Sequence, residues 1–216
     1  VRKAVASEIM RRTAITTPGL RSVLRAVSRA IIWALGWRSE GGLQVRKCVA
    51  IAAPHTSNWD FLYLVAISYA LGVDPRWMGK KELFRFPLGG LMRWLGGVPV
   101  DRAKGGFAAA EAIRALRELD DFVLVIPPEG TRGKGKDWKH GFYTIAREAG
   151  VPFVFGYLDY ARRAGGYGPV FEPTGDYGAD IREIRAFYEK VTPLVPERYT
   201  LPIIRDTVHR ETRGQS

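Results

Sequence analysis

His55 and Asp60 bracket the stretch His55-Thr56-Ser57-Asn58-Trp59-Asp60, five positions apart. On a regular helix that spacing turns two side chains about 140° from each other. On a strand, an odd spacing sends them to opposite faces. They meet only where the chain bends between them, and the residues for a bend are present. An apolar run from Cys48 to Ala53 stops at Pro54, Thr56-Ser57-Asn58 carries turn chemistry, and a helical pattern starts near Asp60. A carboxylate in the first turn of a helix is also favoured by the helix macrodipole. Bent this way, the pair offers an imidazole with one nitrogen fixed by a carboxylate and the other free to take a hydroxyl proton, which is a general base. The same residues equally describe a helix-capping Asp60 beside a loop histidine. Of the other histidines, His140 has no carboxylate partner at a motif spacing, and His209 sits in the charged tail.

Two further groups point to anion binding. Arg102 follows a short apolar run, and Glu129-Gly130-Thr131-Arg132 follows the clearest strand pattern, Phe122 to Ile126, after Pro127-Pro128. In open α/β sheets the carboxyl ends of strands border the ligand crevice. Two arginines there can grip a phosphate, each charge-assisted bond contributing about 1.5–3 kcal/mol. Glu129 can orient such an arginine or hold a substrate hydroxyl, while Arg102 taken alone also reads as a surface salt-bridge residue. Gly130 to Lys136 spells G-x4-G-K, but Asp137 stands where a P-loop needs Ser or Thr for magnesium. An acidic side chain there repels phosphate, so nucleotide hydrolysis is set aside. No G-x-S-x-G occurs, which leaves a nucleophile-elbow serine hydrolase unsupported.

The elements that must position these groups follow from periodicity. Pro18 to Trp37 reads as a helix with Leu20, Leu24, Val27, Ile31 and Leu35 in a stripe and Arg21, Arg25 and Arg29 on an adjoining face. With Trp33 and Trp37, that helix suits a lipid headgroup layer. It also suits a core-packed helix with a solvated arginine face. Strands are expected at Cys48–Ala53, Arg76–Gly79, Phe122–Ile126 and Val151–Leu158, and helices at Phe61–Leu71, Phe107–Leu119, Phe142–Ala149 and Ile181–Val191. Pro87 to Gly97 is glycine-punctuated, and Tyr157 to Gly175 is rich in glycine. Such alternation implies an α/β fold, a single domain with a central, mostly buried mixed sheet flanked by helices. The expected organisation is an N-terminal amphipathic helical segment over 1–42, a catalytic domain over 43–191, and a wrapping tail over 192–216.

Composition narrows the partner. Of 216 residues, 46% are apolar and 25% charged, the balance of a globular core. The formal net charge of +11 points to an anionic partner. Nucleic acid, anionic lipid and a phosphorylated substrate are all compatible with it. The single cysteine, Cys48, excludes an intrachain disulfide framework and a multi-cysteine zinc site and fits a reducing compartment. No run approaches the ~18 apolar residues of a membrane span, and the start carries no signal-peptide pattern, so a cytoplasmic location is expected. A non-enzymatic nucleic-acid binder would draw on the charge and on Trp77, Phe84, Phe86 and Trp94. Against it, the basic residues are spread along the chain instead of gathered in one run.

Taken together, four ordered blocks are recognisable. His55-Thr-Ser-Asn-Trp-Asp60, Lys80-Lys81-Glu82-Leu83 leading to Gly97-Val-Pro-Val-Asp101-Arg102, Pro128-Glu129-Gly130-Thr131-Arg132 and Gly150-Val151-Pro152 resemble the glycerolipid acyltransferase family, whose best-known members are 1-acylglycerol-3-phosphate acyltransferases. The resemblance covers roughly residues 45–160. It implies transfer of a fatty acyl group from an acyl-CoA or acyl-carrier-protein thioester to a lysophospholipid hydroxyl, 1-acylglycerol-3-phosphate foremost and a different lysolipid or hydroxylated amphiphile as the alternative, with His55 as base and Asp60 as its orienter. It implies that Arg102, Glu129, Gly130, Thr131 and Arg132 surround the acceptor's phosphate and glycerol, and that Lys81 supports the reacting centre. No cofactor and no metal are implied; the thioester is a co-substrate. Expected partners are the lysophospholipid, the acyl-CoA or acyl carrier protein, and an anionic membrane surface at the inner face of the membrane.

Overall fold

A short apolar run flanked by turn residues has one economical fate, a strand buried on both faces of a parallel sheet. A computed structural model, which describes Ile9, residues 11–100 and residues 105–204, realises this repeatedly. Among the described residues the strands are β1 (Arg38–Gly41), β2 (Lys47–Ala52), β3 (Pro75–Lys80), β4 (Gly97–Val100), β5 (Phe122–Ile126), β6 (Phe153–Asp159) and β7 (Ala164–Phe171). The helices are α1 (Leu20–Ala34), α2 (Asn58–Leu71), α3 (Gly89–Trp94), α4 (Gly105–Glu118), α5 (Gly141–Ala149) and α6 (Tyr177–Tyr188).

The strands form one mixed sheet in the order β1-β7-β6-β2-β5-β3-β4. The run from β6 to β4 is parallel throughout, β7 is antiparallel to β6, and β1 lies parallel to β7. Side-chain alternation splits β2 and β5 between two cores. Val49, Ile51 and Leu124 pack with Leu116, Phe142 and Ile184 on one face. Cys48, Ala50, Val123 and Val125 pack with Trp77 and Phe84 on the other.

Besides the short α3 and β4, which were not expected as elements, three departures from the sequence expectation stand out. β1 and β7 were not expected as strands. The Gly-rich run that carries no strand signal is β7, because its glycines admit close neighbours: a Cβ on Gly166 would sit 1.8 Å from the Glu40 carbonyl oxygen of β1. β1 itself joins the sheet from within the segment expected to be helical. Third, α1 is only partly buried, at Ser28 and Ile32 with Leu20 and Leu24 half-buried, and its exposed Arg21 and Arg29 reach α2. They donate to the carbonyls of Gly72 and Ala70 at 3.3 and 3.1 Å. Those are the carbonyls at the C-terminal end of α2, where cations are favoured. Val23, Val27, Ile31 and Trp33 are exposed, Trp33 to 81%. Leu20 and Leu24, from the expected stripe, are half-buried, while Leu35 is exposed.

Beyond α6 the chain crosses back over the C-terminal ends of the strands. Val195 N donates to Thr56 Oγ1 at 3.3 Å, Trp138 Nε1 donates to the Thr200 carbonyl at 2.6 Å, and Thr200 Oγ1 donates to the Gly135 carbonyl at 3.0 Å. This segment ties the turn after β2 to the loop after β5.

Candidate active site

Ser57 builds the bend between His55 and Asp60. It is the N-cap of α2 and accepts from Trp59 N at 3.2 Å, so the helix starts at Asn58, three residues before the expected start. Asp60 becomes the third helical residue and closes a capping box. Its Oδ2 accepts from the backbone of Thr56 at 2.6 Å and of Ser57 at 2.8 Å. Asp60 is therefore a helix cap, and it also faces the imidazole: His55 Nδ1 lies 3.8 Å from the same Oδ2. That distance is ion-pair contact and too long for a hydrogen bond. The capping role of Asp60 is thus met, and the same carboxylate lies beside the imidazole without a hydrogen bond to it.

His55 is held from a second side. Its backbone N–H donates to Glu129 Oε1 at 2.7 Å, so the loop after β5 anchors the turn after β2. Burial pushes the imidazole pKa down to about 4; the Asp60 charge pulls it back up, and Arg132 pushes it further down. The ring is neutral at pH 7 and able to accept a proton. Burial also pushes Glu129 up to about 7, with the Asp60 charge adding to the rise and the backbone amides of His55 and Thr200 opposing it. Its Oε2 is buried without a hydrogen-bond partner.

These groups open onto one cavity of about 1000 Å³ beside the carboxyl ends of β2, β3, β5 and β6. His55, Asp60, Lys80, Arg132 and Lys139 lie in its wall, and Phe61, Leu64, Trp77, Met78, Phe142 and Ile145 line the apolar remainder. The cavity wall thus combines the imidazole and cations with a largely apolar lining, and Arg132 is close enough to act on the His55 charge. Among the described residues no cluster of three or more His, Cys, Asp or Glu is placed to hold a metal ion.

Several sequence-expected residues are gathered and others are not. Gly130, Thr131 and Arg132 line the cavity with His55 and Asp60. Gly130 adopts φ +66°, and a Cβ there would lie 2.7 Å from Lys139 Cε, so the glycine lets the lysine stem lie across the loop. Glu129 is turned under the loop, 3% exposed, and holds the His55 backbone instead of facing the cavity. In the second block Lys80 lines the cavity, whereas Lys81 is exposed on the following 3-10 turn, away from the lining. Arg102 and Asp101 lie outside the described residues.

Two functional candidates escaped the sequence reading. Lys139 sits next to His140 in a stretch with no motif value on its own. Tyr160, just past β6, donates its hydroxyl to Asp60 Oδ1 at 2.6 Å. The Tyr160 ring packs edge-on against Trp37 at 4.9 Å and Tyr63 at 6.0 Å, and Trp37 stacks on Tyr63 at 4.4 Å. No spacing signals Tyr160, because only the register of β6 against β2 brings it to Asp60.

Known proteins share the stretch of sequence that carries this site, and its fold. The model of the Acyltransferase family matches residues 40–155, more than half the chain and all of the His55–Arg132 site. A 1-acyl-sn-glycerol-3-phosphate acyltransferase of Haemophilus influenzae is 34% identical over 120 residues, which is 51% of this chain and 47% of that protein. The chain thus spans about half the length of this curated relative. In fold, it is similar to the crystal structure of the 1-acyl-sn-glycerophosphate acyltransferase PlsC from Thermotoga maritima, with a TM-score of 0.52 and 20% identity over 76% of this chain and 74% of that one. With the family match spanning the imidazole, its carboxylate and the cationic loop, the chain belongs to the acyltransferase family.

Proposed function

We propose that this protein transfers a fatty acyl group from an acyl-CoA or acyl-carrier-protein thioester to the hydroxyl of a lysophospholipid, with 1-acylglycerol-3-phosphate as the foremost acceptor. One observation carries the reading. A half-buried imidazole beside a carboxylate shares the wall of one cavity with Arg132, Lys139, Lys80 and an apolar lining.

A thioester is already activated, so the protein needs no covalent nucleophile. Cys48 is fully buried in the sheet. His55 Nε2 takes the proton of the acceptor hydroxyl as its oxygen bonds to the thioester carbonyl carbon. Asp60, beside Nδ1, stabilises the imidazolium that forms. The tetrahedral adduct then collapses, the carbon–sulfur bond breaks, and the imidazolium proton passes to the departing thiolate. Ester and free thiol result, with no net oxidation or proton loss.

Arg132 and Lys139 bind the acceptor phosphate, together with Arg102 as the family resemblance implies, and Thr131 with Gly130 contacts its glycerol. Lys80 supports the reacting centre in the role first expected of Lys81. Glu129 acts on the base through its bond to the His55 backbone. The apolar part of the cavity takes an acyl chain. The enzyme works at the inner membrane face, with the outward apolar face of α1 lying in the headgroup layer. Among the described residues no helix is long and apolar enough to cross a membrane. The basic surface favours anionic lipid and an acidic carrier protein.

A panel of lysolipids offered with radiolabelled acyl-CoA or acyl carrier protein, resolved by lipid chromatography, tests the proposal. Diacylglycerol phosphate should be the main product. Label in another lysolipid alone would transfer the reading to that headgroup, and no label in any lipid would overturn it.

A further inference from the structure

The segment between β3 and β4 holds its apolar side chains outward by construction. Phe84 is buried and stacks on Trp77 at 5.7 Å, and the Arg93 guanidinium lies over the Phe84 ring, 5.3 Å from its centroid. Arg93 donates to the carbonyls of Phe84 at 3.2 Å and Gly89 at 3.1 Å. The Gly89 N–H closes the loop on the Arg85 carbonyl at 2.8 Å. A Cβ on Gly89 would sit 2.0 Å from the Phe84 carbonyl oxygen, so only glycine permits this closure. Arg93 thus occupies the inside of the turn, and the tip between Phe84 and Gly89 has no inward path. Phe86 is 97% exposed and Leu88 58%, with Leu91 and Trp94 of α3 exposed beside them. An apolar tip braced from within differs from scattered surface hydrophobics, which need no explanation.

The patch is continuous with two other features. At one end Leu83 and Lys80 line the cavity. At the other, the Ala14 N–H donates to the Trp94 carbonyl at 2.7 Å, and Leu95 packs with Ala14, Ile15 and Val65, which leads to α2 with its exposed Trp59 and Leu62. Cations border it: Lys80 and Arg85 are exposed on the loop, and Arg11 and Arg12 face Gly90, Leu91 and Trp94 across a groove of about 370 Å³. Aromatic and aliphatic tips with flanking arginine and lysine match the bilayer interface, where rings sit at headgroup depth and cations meet anionic lipid.

We propose that residues 83–94 form a second membrane contact, in which Phe86 and Leu88 insert into an anionic bilayer and seat the mouth of the cavity on it. The inference rests on the membrane-surface reading of α1 and adds a distinct contact to it. Lysolipid and acyl chain then enter the cavity from the bilayer side, past Leu83, without crossing water.

The test is sedimentation of the full chain with sucrose-loaded vesicles of phosphatidylglycerol and phosphatidylcholine. A Phe86→Ser/Leu88→Ser variant should partition at least tenfold less, keep its circular dichroism, and retain turnover on short-chain substrates below their micelle concentrations. Unchanged partitioning overturns the proposal. For a positional readout, Phe86→Cys carries a nitrobenzoxadiazole label, since Cys48 is buried. Its emission should shift blue on anionic vesicles, and no shift overturns the proposal. If Val27→Glu/Ile31→Glu in α1 abolishes partitioning while the Phe86 pair has none of its own effect, the surface reading stands and this contact fails. Self-association of the unmodified protein that the Phe86 pair abolishes, without loss of vesicle binding, assigns the patch to a second copy and likewise overturns it.

Discussion

Tyr160 and Asp60 lie 100 residues apart and share a 2.6 Å hydrogen bond, the phenol donating to Oδ1. With Oδ2 held by the amides of Thr56 and Ser57, the carboxylate is fixed in three directions before it meets the imidazole. Its orientation toward His55 is therefore set by groups other than His55. Tyr160→Phe removes one of these constraints and leaves a buried carboxylate oxygen unsatisfied. A hydrogen bond to a charged group contributes about 1.5–3 kcal/mol. We expect kcat to fall about tenfold or more with both KM values nearly unchanged, and Tm to drop. A KM effect without a kcat effect would contradict the positioning role.

The pH dependence follows from two groups that shift in opposite directions. His55 is held near 4, below its ordinary 6.5, so the unfolded chain binds the extra proton between those values. Its contribution to stability is complete above pH 6.5 and is lost as pH falls toward 4. Glu129 is held near 7, above its ordinary 4.5, so its contribution is complete below pH 4.5 and is lost as pH rises through 7. Denaturant titrations across pH 4–9 should show the second slope vanish in Glu129→Gln. The acidic limb of kcat/KM should lie near pH 4 in the unmodified enzyme, well below an ordinary histidine.

His55→Ala should abolish acyl transfer with the fold intact, since general-base catalysis contributes about 10²–10⁴-fold. Persistent turnover in the purified variant, checked by the radiolabel assay, would remove His55 from the chemistry.

Arg132→Ala and Lys139→Met each remove a cation from the cavity wall. Each should raise the acceptor KM about tenfold or more while leaving the donor KM in place, the mark of binding shared by ground and transition states. A rise confined to the donor would reassign these cations to the carrier's phosphates.

In α1 the arginines and the apolar face should separate cleanly. Arg29→Glu loses the bond to the Ala70 carbonyl and places a negative charge at the end of α2, lowering stability by about 1 kcal/mol. Val27→Glu/Ile31→Glu should instead leave Tm unchanged and remove vesicle binding. Equal Tm losses in both would show that the exposed face is covered by protein.

The strands β2, β5 and β6, the bend at Thr56-Ser57-Asn58 and the loop after Ile126 were legible in the chain, because apolar runs and turn residues act over a few neighbours. Those same runs order the parallel sheet and bring His55, Asp60 and Arg132 to one edge. Tertiary structure alone decided what depends on distant pairing. The glycine-rich stretch that becomes β7 carries no strand signal until β1 is laid against Gly166, since glycine signals a close approach and a turn alike. Glu129 reads as a residue that orients an arginine or holds a substrate hydroxyl, and only the fold shows that it accepts from the His55 amide. The setting of α1 follows from its packing on α2: Ile32 is buried, Arg21 and Arg29 reach the carbonyls at the end of α2 from the surface, and Val27 and Ile31 stay outside. Periodicity can define the two faces of that helix, but which face turns inward depends on the partner against which it packs.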